Sequence, residues 1–194
     1  RVEALLARAA ALAPEDVYPV RQRARFLEET RGDLDAAEAV YLEAVAMAPE
    51  DALTLTWYAR FLERRRGDEL QAAHYLLRAA RAEPERAVRW AALVRFLLDR
   101  GLVDEARGSL RRWLERARVE DAGAALAEAC FLGLVYLPAP ERGPCFERLK
   151  ALLAEEVEIG SWDPSPHLER LRAMDRPDAP WVERLAAVIR ERMG

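Results

Sequence analysis

Arginines recur at a fixed step along this chain: Arg25, Arg60 and Arg95 stand 35 residues apart. A guanidinium is a planar fork of N–H donors that keeps its charge at any ordinary pH, so a row of them suits carboxylates, held by paired, charge-assisted hydrogen bonds. Each also has an acid within reach in its own segment: Glu28 and Glu29 for Arg25, Glu63 for Arg60, and Asp99 for Arg95. Spacings of three and four give ordinary intrahelical ion pairs. The row therefore reads both as a ligand-binding ladder and as a self-compensated helix surface, and the two overlap, because a paired arginine still contacts a ligand.

No pattern points to catalysis. No glycine-rich phosphate loop precedes a helix, and no local motif assembles Ser, His and Asp. His74 and His167 are the only histidines. His74 reads as a surface residue and His167 sits near the first turn of a short helix, while a metal site needs more such ligands close by. Cys130 and Cys145 fit neither a zinc spacing nor a disulfide framework and read as small core residues. With 34 acidic residues, paired carboxylates are solvated surface. The expectation is a chain that is not an enzyme and carries no cofactor and no metal.

Composition narrows the class. The chain has 194 residues, 52% hydrophobic, 33% charged and 8% aromatic, with the Ala, Leu, Arg and Glu usage of an all-helical protein. A net charge of −4 argues against a dedicated nucleic-acid binder, which carries a basic excess. Lys150 is the sole lysine, read as the coding bias of a GC-rich bacterial genome. Two scattered cysteines fit a reducing, cytoplasmic setting, and no apolar run approaches the ~18 residues of a membrane span.

The elements that must carry the arginines repeat with them. Phe26, Phe61 and Phe96 follow the three arginines, then Leu27, Leu62 and Leu97, and Pro14, Pro49 and Pro84 keep the same step. Self-similarity at this period marks a stack of similar units, each needing its neighbour to cover its apolar face, hence one continuous array. From Asp51 the pattern is a capping acid, a helix with Leu55, Tyr58, Ala59 and Leu62 inward, Gly67 as a left-handed stop, Asp68 as the next cap, a second helix with Ala72, Leu76, Ala79 and Ala80 inward, and Pro84. The preceding unit places Val20, Ala24 and Leu27, then Ala37, Tyr41 and Ala44; the following one places Trp90, Leu93, Val94 and Leu97, then Ala106, Leu110 and Trp113. It is one residue shorter, since Phe96 to Gly101 is five steps where Phe61 to Gly67 is six.

On these residues the chain resembles the tetratricopeptide repeat (TPR) family over roughly residues 1–118. The family's small position on the first helix is filled by Ala24, Ala59 and Val94; those on the second by Ala37, Ala72 and Ala106, then Ala44 and Ala79, with Trp113 departing from the pattern; the large position by Tyr41, Leu76 and Leu110. Trp57-Tyr58-Ala59 followed by Phe61-Leu62-Glu63 is also similar to half-a-TPR repeats, but the Gly-Asp turns and the regular proline favour TPR. The resemblance implies an all-α, right-handed α-α superhelix whose first helices line a concave face. The groove positions it transfers are Tyr18, Arg21, Gln22, Arg25 and Glu28; Leu53, Thr56, Trp57, Arg60 and Glu63; and Val88, Ala91, Arg95 and Leu98. It implies a partner-binding set of Tyr18, Arg21, Arg25, Trp57, Arg60 and Arg95, with Trp57 as an apolar anchor. The Lys and Asn positions of the family's carboxylate clamp are missing.

The expected organisation is residues 1–14 as the second helix of a preceding repeat whose first helix is cut off, making the chain part of a longer protein; 15–118 as three hairpins; 119–158 as a divergent fourth; and 159–194 as C-terminal capping helices. In the last third, helices are expected over 121–137, from Pro144 to about Val157, from Pro166 to Met174, and from Ala179 to Arg192 with Trp181, Leu185, Val188 and Ile189 on one face. The Trp162 loop reads as part of the cap or as a recognition element. The function this implies is a non-catalytic interaction module taking a peptide or protein ligand, acidic in character, without membrane or nucleic acid. An architectural or oligomerising scaffold in a larger signalling or effector protein is the alternative, separated by sizing, and RNA association is a third reading.

Overall fold

Four aspartates start the helices of the first two repeat hairpins. The computed structural model describes residues 2–116, 123–155 and 162–192, and among these it contains helices and no strand. They form two compact units, Arg1–Pro84 and Glu85–Gly194.

The first unit holds α1 (Val2–Leu12), α2 (Val17–Phe26), α3 (Leu34–Met47), α4 (Ala52–Phe61) and α5 (Glu69–Ala82). Asp16, Asp33, Asp51 and Asp68 cap α2 to α5, each carboxylate accepting from a backbone N–H of the first turn, as the free donors of a helix start require. Every inward position read from the repeat in α2–α5 is buried, the alanines Ala24, Ala37, Ala44, Ala59, Ala72 and Ala79 almost completely, so the helix backbones approach closely. Tyr41, Tyr58 and Phe61 fill the space between α3 and α4 with mutual ring contacts of 5.2 to 6.2 Å. On α1, Leu6 and Ala9 are half-buried, whereas Val2, Leu5 and Leu12 are exposed.

The difference in repeat length has a backbone cause. After α2 and after α4 the chain makes one π-helical turn, Leu27–Arg31 and Leu62–Arg66. Each ends on a left-handed glycine, Gly32 at φ 67° and Gly67 at φ 66°, where a side chain would strain the backbone. The following N–H groups, of Asp33 and Asp68, donate to Leu27 O and Leu62 O. In the third hairpin Leu102 N–H closes on the equivalent Leu97 O with one residue fewer in the ring. The extra residue of the first two hairpins is thus absorbed as a π turn, and the same leucine anchors all three ends.

The second unit holds α6 (Ala87–Asp99), α7 (Val103–Arg116), α8 (Gly123–Tyr136), α9 (Ala139–Ala154), α10 (Ser165–Ala173) and α11 (Ala179–Arg192). α8 is buried all round from Leu126 to Tyr136, because α6, α7, α9 and α10 all pack on it. Gly133 lets α9 close in: a Cβ there would sit 2.5 Å from Cys145 Sγ. Two expectations are corrected. α9 begins at Ala139, not at Pro144, which lies inside the helix; Pro140 occupies the first turn, where a missing N–H costs nothing. The buried face of α11 is Val182, Ala186 and Ile189, with Val188 exposed, one residue out of register from the expected stripe. Trp162 is buried against Phe131, ring centroids 5.2 Å apart. The expected boundaries at 118/119 and 158/159 fall outside the described residues, as do the start of the helix expected over 121–137 and the end of the one expected from Pro144 to Val157.

Candidate interaction site

In the first unit α2 and α4 place four of the expected residues in one row. The α4 cap does double duty: Asp51 Oδ2 accepts from Thr54 N–H at 2.8 Å and from Arg21 Nη1 at 2.7 Å. Arg21 Nη1 also lies 3.1 Å from Thr54 Oγ1, and the arginine is only 7% exposed. Its guanidinium sits 5.2 Å from the Trp57 ring centroid and 5.9 Å from that of Tyr18, and the Arg25 guanidinium sits 5.5 Å from Trp57. These are cation–π distances. Trp57 is half-buried, and two guanidiniums lie against its ring. Tyr18 is exposed at the end of the row.

Beyond Trp57 opens a recess of about 220 Å³ lined by Arg25, Glu28, Glu29, Tyr41, Trp57, Arg60 and Arg64. Both of its acids are engaged. Arg25 Nε donates to Glu29 at 2.9 Å; Glu28 accepts from the Tyr41 hydroxyl at 2.9 Å and from Arg65 Nε at 3.2 Å. Burial, and then the Glu28 charge, raise the Tyr41 pKa far above the usual phenol value, so the hydroxyl stays a donor. Arg60 and Arg64 have no ion-pair partner among the described residues; the Arg60–Glu63 pair expected from spacing does not form.

Arg95 belongs to the second unit and meets a different fate. Its Nε and Nη2 grip both oxygens of Glu128, 2.6 Å for the first contact, and that hydrogen-bonded pair raises its pKa further. Glu128 is 3% exposed. Asp99, the partner expected from spacing, contributes only at longer range. Of the third hairpin's other transferred positions, Val88 is exposed, but Ala91 and Leu98 are buried on α6, against which α8 packs.

Sequence reasoning missed Arg64, Tyr41 as a lining residue, and Glu128. Each left a trace. The repeat places Arg64 where the first unit has Glu29 and the third Asp99, and Glu128 is the lone charge in GAALAEACFLGLVY. Burial raises the thiol pKa of Cys130 to about 12 and of Cys145 to about 11, leaving neither as a ready nucleophile. Among the described residues no cluster of three or more His, Cys, Asp or Glu is placed to hold a metal, and no helix is long and apolar enough to cross a membrane.

No protein-family model matches the sequence, and no curated protein matches it. Among solved structures the chain is similar to one described as "MamA RS-1 ArsTM double mutant", at a TM-score of 0.50 and 13% identity, covering 79% of this chain and 84% of that one. That neighbour is a TPR-like helical solenoid, and likeness at this identity concerns fold alone: the chain has the all-α architecture of TPR-like helical repeats.

Proposed function

We propose that the chain is a non-catalytic protein-interaction module, and that the α2–α4 face of its first unit binds an acidic peptide or protein segment. The observation that carries this reading is the recess beside Trp57, where Arg60 and Arg64 have no ion-pair partner among the described residues while both acids lining it are already engaged. Free guanidiniums on an ordered wall give charge-assisted contacts at small entropic cost. Tyr18 extends the surface, Arg21 and Trp57 hold it in shape, and Arg25 and Arg60 line the recess. This surface does not include Arg95, which lies on α6 in the second unit and pairs with Glu128.

The test is fluorescence anisotropy with labelled, glutamate-rich peptide pools. Arg60→Glu should weaken binding by about tenfold or more, the scale of a lost charged contact, with the helical circular dichroism unchanged. Equal affinity for the wild type and this variant would remove the recess from the binding surface.

A further inference from the structure

Resting on that reading and deepening it, we propose that the Arg60–Arg64 pair is a site for a phosphorylated side chain, a phosphomonoester dianion carried by the partner. The same two positions hold Arg25 and Glu29 in the first hairpin, Arg60 and Arg64 in the second, Arg95 and Asp99 in the third. In the first, the pair closes on itself at 2.9 Å. In the third, Arg95 is taken by Glu128 and an acid still stands at the second position. Only the second hairpin places two like charges at these two positions, an arrangement that weakens an isolated helix.

The surroundings do not relieve it. Glu29 belongs to Arg25, and Glu28 is shared by Tyr41 and Arg65, so each acid of the recess is matched and two positive charges are left over. A side-chain carboxylate supplies one negative charge; a phosphomonoester supplies about −1.5 to −2 near neutral pH, with three acceptor oxygens. Two guanidinium forks match that charge and present paired donors to a tetrahedral anion. The recess, about 220 Å³, has room for the tip of one side chain and not for a folded segment. Trp57, its ring covered by Arg21 and Arg25, forms a wall that shields the contact from water on one side. The site would therefore read the phosphorylation state of its partner.

The experiment uses the whole chain and three pools of short, fluorescein-labelled peptides, degenerate except for a central serine, phosphoserine or glutamate. The phosphoserine pool should bind about tenfold tighter than the glutamate pool, and the serine pool weakest. The informative variant is Arg64→Glu, which recreates the Arg25–Glu29 arrangement one repeat on. It should fold at least as well as the wild type, judged by its melting temperature, and lose the preference for phosphoserine. A phosphoserine pool that binds no better than glutamate, or a preference that survives Arg64→Glu, overturns the phosphate assignment. If glutamate and phosphoserine bind alike and both remain sensitive to Arg60→Glu, the acidic-peptide reading stands without it. If no pool responds to Arg60→Glu, both fall.

Discussion

Removing the Arg95 side chain would strand a carboxylate that has almost no access to water. Glu128 lies in the fully buried stretch of α8, and the paired N–H donors of Arg95 are its charged partner. Truncating one member of such a pair costs several kcal/mol because the other is left charged and desolvated. Here the arginine is half exposed, which softens the loss, so Arg95→Ala should cost about 2–4 kcal/mol in urea unfolding. Arg60→Ala, at the same repeat position, should change stability by less than about 0.5 kcal/mol and even relieve repulsion from Arg64. Equal losses in the two variants would contradict the assignment of one arginine to structure and the other to a ligand. The sequence could not separate them. Both follow the same pattern and both have an acid three or four residues on; what differs is Glu128, 33 residues from Arg95 in sequence and beyond the point where the period is visible.

Helix ends divide the chain in the same way. In the hairpins a glycine in the left-handed region ends the first helix, and that signal is local, so Gly32, Gly67 and Gly101 were legible. The shorter third unit was legible too, as a count of steps, but the π turn that absorbs the difference was not, since it depends on which carbonyl closes the ring. α8 has no glycine at its end. Its last carbonyls, and that of Leu137 just beyond it, are satisfied from other elements: Arg176 donates to Leu134 O and Val135 O, Arg107 to Tyr136 O, and Arg142 to Leu137 O. Cations at a helix C-terminus also meet the negative end of its dipole. Arg176 comes from the segment Arg176-Pro177-Asp178, which reads in sequence as a mere break between helices; its guanidinium is held in place by Asp178 at 2.6 and 2.9 Å. Arg176→Ala leaves two carbonyls without their charged donor and should cost about 1–3 kcal/mol, while Arg176→Lys, able to reach one carbonyl, should recover part of it. Hydrogen exchange along the last turn of α8 would report the same loss, and unchanged protection there would show that water replaces the arginine at no cost.

Across the whole molecule the balance of charges makes stability unusually simple to read against pH. Nearly every base is arginine, which does not titrate, and Lys150 is the only lysine. Burial lifts both thiols out of the neutral range. Histidine is the side chain whose ordinary pKa lies between pH 5 and 8, and the chain has two. His74 is exposed on α5. His167 is buried on α10, its Nδ1 2.8 Å from the Tyr136 hydroxyl of α8; burial first, and then the nearby Arg170, lower its pKa to about 4. The folded chain therefore leaves His167 neutral where the unfolded chain, with an ordinary histidine pKa near 6.5, takes up a proton. The unfolded state binds more protons in that window, so stability rises with pH across it and is lost as pH falls from about 6.5 toward 4. The slope should approach one proton, about 1.4 kcal/mol per pH unit, in its lower part. In His167→Gln, whose amide can still meet the Tyr136 hydroxyl, unfolding free energies measured from pH 5 to 7 should be nearly flat. A variant that keeps the wild-type slope would mean that His167 is protonated in the folded chain and that the joint between α8 and α10 is built differently from the neutral Tyr136–His167 hydrogen bond.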